Sequence, residues 1–372
     1  MNYLILSALL FISLVAFSQN PIATECDKTL LEQKPGTWKA GMKGSEGGTA
    51  ADLANEKKIV GAIHTMIKSK YTPMSVEAIF HGAYNGVNST MPVNNYSYSI
   101  IPLNYYCEGN SIKTSDETST YFSITANMSG ASIYDTPDDE DDVSGMGYHY
   151  MLEMPVQKDG IYYFKEKDVT LAFGIPGKTS EWLITYNDKL PYSYVTKKEF
   201  LEKRKKILSN AMLTSAAGFK DVLQRIEIEK SYKEAEYKND PEKLKRYMKM
   251  DYLDSKTRYE KQLADNDKNY KPAFTKIETL LKMPATELNG PAIVKQDPND
   301  YLSYLFTDDN DGFGKVLIKP NPGYFNKKIP KSSPQFFRVF ITGSHKDLIA
   351  AKFMEDIIKA VDFSTLKNML GK

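Results

Sequence analysis

From Thr196 onward the apolar residues fall into helical register and stay there. Leu201, Leu208, Met212, Phe219, Leu223 and Ile226 are spaced by seven, four, seven, four and three, which draws one narrow stripe along a helix. Thr196-Lys197-Lys198-Glu199 is a capping box that opens it. Asn239-Asp240-Pro241 then stops the helix and restarts it, with Asp240 suited to the N-cap and Pro241 to the first helical position. Leu244, Met248, Tyr252, Tyr259 and Leu263 continue the pattern. A stripe interrupted by a turn predicts two helices folded back on each other, with a shorter helix following around Pro272 to Lys282. Between Glu229 and Lys271, 22 of 43 residues are charged, 12 basic and 10 acidic. Mixed signs at that density read as solvated helix faces. Residues 196–283 are therefore expected to form a long charged helical hairpin.

The flanking regions carry a different pattern. In residues 19–195, Thr49-Ala50-Ala51-Asp52 reads as a capping box. Leu53, Val60, Ile63 and Ile67 then share one helical face, and Pro73 marks the end. Strand-like runs follow at Val76–Tyr84, Tyr96–Cys107, Thr120–Met128, Gly160–Phe173 and Glu181–Tyr186, with Asn85-Gly86 read as a turn. In residues 284–372, Val316–Lys319 and Phe336–Thr342 read as strands. Ser344-His345-Lys346-Asp347 reads as a third capping box, before a helix with Ile349, Phe353, Ile357 and Val361 on one face. Two strands and one or two helices make a thin core, so this region is expected to pack on the first. The predicted fold class is α+β: a mostly antiparallel sheet packed with helices, plus the hairpin.

Leu4 to Phe17 is an uncharged run of 14 residues, short of the roughly 20 that span a bilayer. Polar residues follow, and Ala16-Phe17-Ser18 places small residues where a signal peptidase reads. Residues 1–18 are therefore expected to be a signal peptide and the protein to be secreted or periplasmic, with no transmembrane segment after signal removal. Only Cys26 and Cys107 occur, and an oxidising compartment favours their pairing.

The chain has 48 Lys+Arg against 47 Asp+Glu, which excludes a nucleic-acid binder that works by bulk charge. The two halves differ: residues 1–195 hold 14 basic and 22 acidic residues, residues 196–372 hold 34 and 25. Acids are interspersed among the bases of the second half, which favours attraction between the halves over a dedicated polyanion surface.

Candidate chemistry is sparse. The run Asp135 to Asp142 packs six carboxylates into eight residues, and Asp138, Asp139 and Asp141 are the candidate Ca²⁺ ligands. The commoner use of such a run is a solvated, self-repelling loop. Thr307 to Gly312 superficially resembles an EF-hand loop, but Ile318 stands where a bidentate Glu is required. Gly41, Gly44, Gly47 and Gly48 precede a helix without completing a phosphate-binding motif. His64, His81, His149 and His345 lie in no zinc spacing, and no nucleophile motif surrounds a serine or cysteine. Tyr96, Tyr98 and Tyr106 fall on one face of a predicted strand and are the candidate ligand-stacking aromatics, although packing is the default role for such residues.

Three segments resemble recurrent features of an uncharacterised family of exported bacterial proteins. They are Tyr105-Tyr106-Cys107; Glu181-Trp182-Leu183-Ile184 through Leu190-Pro191-Tyr192 to Thr196-Lys197-Lys198-Glu199-Phe200-Leu201; and Pro334-Gln335-Phe336-Phe337. The resemblance implies export and carries over no catalytic residue. The expected function is that of a non-catalytic binding or scaffold protein of the cell envelope, meeting an envelope protein or glycan and needing no cofactor. The alternative is a hydrolase of envelope or extracellular polymers that uses dispersed Asp, Glu and His, with His81 and His149 as the first candidates.

Overall fold

The computed structural model describes residues 26–42, 46, 48–87, 93–128, 133–134, 146–308, 313–321 and 323–372. The predicted signal peptide, the candidate Ca²⁺ ligands Asp138, Asp139 and Asp141, Gly44, Gly47 and residues 309–312 lie outside them.

The fold is α+β, with two sheets. The larger runs in the order Thr37–Ala40, Val76–Val87, Asn94–Glu108, Tyr121–Ala126, Phe336–Gly343, Pro176–Thr185, Ile161–Tyr163 and Val156–Lys158. Ser111–Thr114 and Lys167–Thr170 pair on its flanks. All its pairings are antiparallel except the first, which is parallel. The smaller, wholly antiparallel sheet runs Asp300–Phe306, Ile293–Asp297, Lys315–Pro320, His149–Met151 and Ile133–Tyr134, with Tyr192–Tyr194 also on Lys315–Pro320. Both sheets thus join strands from before residue 195 to strands from after residue 284.

Side-chain alternation assigns the layers. Tyr98, Ile100, Phe122, Ile124, Phe337, Val339 and Ile341 point to one face of the large sheet. Helices Ala50–Lys70 and Leu348–Ala360 cover that face with Ile63, Ile67, Phe353 and Ile357. On the other face Leu183 and Phe336 pack on Met151, Tyr192, Val316 and Ile318, joining the two sheets. A third cluster seats the hairpin, with Phe200, Leu201, Leu208, Ala273 and Ile277 against Tyr150, Val294 and Leu317.

The hairpin consists of Lys197–Glu236 and a second rod made of Pro241–Tyr247, a π-helical turn at Met248–Tyr252, and Leu253–Leu280. Thr196 Oγ1 accepts from the Glu199 amide at 3.1 Å, and the Glu199 carboxylate accepts from the Thr196 amide at 3.0 Å. Asp240 caps the return helix by accepting from the Lys243 amide at 3.0 Å.

Four local readings change. No separate helix begins at Pro272, which lies inside Leu253–Leu280. Proline removes one helical hydrogen bond there, and burial of Ala273 and Ile277 on the facing helix carries the helix through. Asn85-Gly86 makes no turn but falls within Val76–Val87, where the register shifts between Ala83 and Gly86 as a bulge. The run read as Gly160–Phe173 breaks into two short strands and a tight turn at Ala172–Gly174. Helix Leu348–Ala360 is capped by Asp347, whose carboxylate accepts from the Ile349 amide at 2.9 Å, and not by Ser344, whose hydroxyl accepts from the Lys346 and Asp347 amides at 3.3 Å.

Candidate functional site

Two features stand out as surfaces that could engage something else. The first is the hairpin itself. Beyond Leu208, Lys197–Glu236 buries no side chain. The partner helices touch through Phe219 and Tyr259 (ring centroids 6.4 Å apart), Tyr237 and Tyr247 (6.5 Å), the Tyr252 hydroxyl donating to Glu227 at 2.9 Å, and Asn266 Nδ2 donating to the Met212 carbonyl at 3.0 Å. Charges pair along the rod: Lys256 with Glu227 at 2.7 Å, Lys233 with Glu236 at 2.7 Å, Lys268 with Asp265 at 3.0 Å. Among them Leu213, Ile228, Tyr232, Met250 and Leu253 are exposed. Forty helical residues at about 1.5 Å each give the first rod a length of about 60 Å.

The second feature is a groove of about 580 Å³ at the end of the large sheet. That is within the range of about 300–1,000 Å³ typical of small-molecule sites. Ile101 and Leu103 of Asn94–Glu108 form its floor, and residues 115–120 one wall. The turn bearing Phe173, with Ser344 and Asp347, forms the others. Local bonds set these walls. Ser115 Oγ donates to the Glu117 carbonyl at 2.7 Å, and Thr118 Oγ1 accepts from the Thr120 amide at 3.0 Å. The Leu171 amide donates to the Ile175 carbonyl at 2.8 Å across the tight turn. Within it Phe173 has φ 61°, the left-handed region that side-chain-bearing residues rarely adopt, and its side chain is 86% exposed. Asn104 Nδ2 donates to Asp347 at 3.0 Å, which fixes that carboxylate already engaged at the helix cap.

The residues singled out from sequence are scattered. Cys26 and Cys107 form a disulfide. Tyr96 and Tyr98 are buried in the core under the helices, whereas Tyr106 is exposed. Burial pushes the Tyr96 and Tyr98 hydroxyls up from their ordinary pKa. His64 stacks on Phe80 with centroids 3.9 Å apart, and burial, aided by Lys68, lowers its pKa. His81 borders a shallower concavity of about 300 Å³ with Lys57, Phe80 and Tyr84. His149 lies in the smaller sheet, and His345 is exposed ahead of the last long helix. Among the described residues no three His, Cys, Asp or Glu side chains converge to hold a metal ion.

Phe173, Asp116 and Glu117 of the groove were not singled out from sequence. The one local signal was an aromatic just ahead of Gly174 in a run ending at Pro176. Among the described residues no helix is long and apolar enough to cross a membrane. No family model, curated protein or solved structure matches the chain.

Proposed function

We propose that this is an exported, non-catalytic binding or scaffold protein of the cell envelope that meets a macromolecular partner through its helical arm. The observation that carries this reading is the arm's surface: apolar Leu213, Ile228, Tyr232, Met250 and Leu253 left exposed among charges of which only part pair within the arm. Exposed large apolar side chains rimmed by polar ones are the composition of protein interfaces. The Cys26–Cys107 disulfide supports export to a secreted or periplasmic setting, because such bonds persist in oxidising compartments. The resemblance of three segments to exported bacterial proteins is in keeping with it.

The test is a shortened arm. Residues 220–258, which face one another across the hairpin, are replaced by a short Gly-Ser turn. The expected result is a variant whose body unfolds cooperatively as before and which no longer retains an envelope partner captured by the full chain. Undiminished capture by the shortened protein would overturn the reading.

A further inference from the structure

The groove at the end of the large sheet has a chemistry independent of the arm. Its lining includes Asp116, Glu117 and Asp347 and no Lys, Arg or His. Asp347 is engaged by the helix cap and by Asn104. The Asp116 and Glu117 carboxylates have no hydrogen-bond or ion-pair partner among the described residues. Other exposed carboxylates do find a cation, as in Lys39–Glu77, Lys113–Glu108 and Lys352–Asp356, but the groove lining offers none to these two. The exposed ring of Phe173 and apolar Ile101 and Leu103 line the same groove.

Each element selects for the same ligand. Two carboxylates favour a cation. An uncovered aromatic ring attracts a cation through its π-face when the two come within about 6 Å. An apolar floor favours an aliphatic stem. The carboxylates do not gather into a metal site. We infer that the groove binds an organic cation, a primary ammonium or guanidinium on an aliphatic stem, with Asp116 and Glu117 as counter-charges and Phe173 as the stacking face. That chemistry has two sources, a free amine or a Lys or Arg side chain of another polypeptide, and the experiment separates them.

The full chain is titrated calorimetrically with cadaverine, with the tripeptide Gly-Lys-Gly and with its uncharged counterpart Gly-norleucine-Gly. Saturable heat with at least one ammonium ligand and none with the norleucine peptide is expected. Binding of cadaverine alone assigns a free amine; binding of the lysine peptide assigns a basic side chain. Asp116→Asn with Glu117→Gln raises Kd about tenfold, and added salt weakens binding to the native chain. Phe173→Asn, a residue that tolerates the left-handed backbone, raises Kd about threefold. All three positions are exposed, so the melting temperature checks that the variants fold. Equal binding of the norleucine peptide, an unchanged Kd in the double variant, or no saturable heat with either ammonium ligand at millimolar concentration overturns the assignment.

Discussion

The hydroxyl of Tyr98 lies 3.1 Å from Nδ1 of His64, and that contact couples the large sheet to the helix Ala50–Lys70 that covers it. Tyr98 is fully buried and burial raises its pKa, so the hydroxyl stays protonated, and the imidazole tautomer sets which of the two atoms donates. Phe80 stacks on the ring and Trp38 meets it edge-on at 5.4 Å. Burial and Lys68 hold the His64 pKa below its ordinary value of 6.5. The unfolded chain then takes up a proton at higher pH than the folded one does. The stability contributed is present in full above the ordinary value and is lost as pH falls toward the lowered one. Urea midpoints measured between about pH 8 and about pH 5 should decline with acidity, and His64→Gln should flatten that decline. An equally steep decline in the variant would assign the effect to other groups.

A second coupling lies on the opposite face of the same sheet. Arg338 Nε donates to Glu181 at 2.8 Å, between residues 7% and 2% exposed, and the guanidinium lies 4.2 Å over the Phe340 ring. Removing one partner leaves a buried charge without its counter-ion. Arg338→Met should therefore cost about 3–5 kcal/mol of unfolding free energy. Combining it with Glu181→Leu should recover most of that loss, because no charge then remains to be desolvated. Simple additivity of the two single substitutions in urea unfolding would refute this account.

The disulfide ties the segment ahead of helix Lys28–Gln33 to strand Asn94–Glu108 across 81 residues of sequence. In the chain-entropy view, closing a loop of that size stabilises by about 4–5 kcal/mol. Thiol titration of the native protein should find no free cysteine without reductant. Cys107→Ser, or reduction of the native bond, should lower the melting temperature. An unchanged melting temperature would show that this segment contributes little to the cooperative unit.

The helices that proved legible are those set by contacts three or four residues apart. Thr49 and Thr196 cap as their spacing implies, and Asp240-Pro241 restarts the arm where expected. Misreadings came where tertiary packing outweighs a local rule. Pro272 is carried through a helix by the burial of its neighbours, and Asn85-Gly86 is held in a bulge by pairing with Asn94–Glu108. At Ser344 the hydroxyl serves a turn, and the carboxylate three residues on takes the cap. The groove left almost no trace in sequence, because Ile101 and Leu103, residues 115–120, Phe173 and Asp347 meet only through the strand order of the large sheet. The same order places Phe336–Gly343 between Tyr121–Ala126 and Pro176–Thr185, a placement that no periodicity encodes.

Asn127 is the point where that order is most tightly specified. It follows strand Tyr121–Ala126, is fully buried and has φ 58°. Its Oδ1 accepts from the Gln335 amide at 2.7 Å and lies 3.4 Å from the Phe336 amide, while its Nδ2 donates to the carbonyls of Asn94 at 2.9 Å and Ser333 at 3.0 Å. One amide side chain thus satisfies backbone groups on two other segments. Asparagine combines tolerance of the left-handed backbone with both donor and acceptor. Asn127→Gly keeps the backbone permissible and strands the buried partners, for a loss of about 3 kcal/mol or more at about 1–3 kcal/mol per unsatisfied group. Asn127→Ala strands the same partners and adds about 1–2 kcal/mol of backbone strain. Urea unfolding should therefore rank asparagine above glycine and glycine above alanine. Alanine equal to or better than glycine would show that the strand end relaxes out of the left-handed conformation once the side chain is gone.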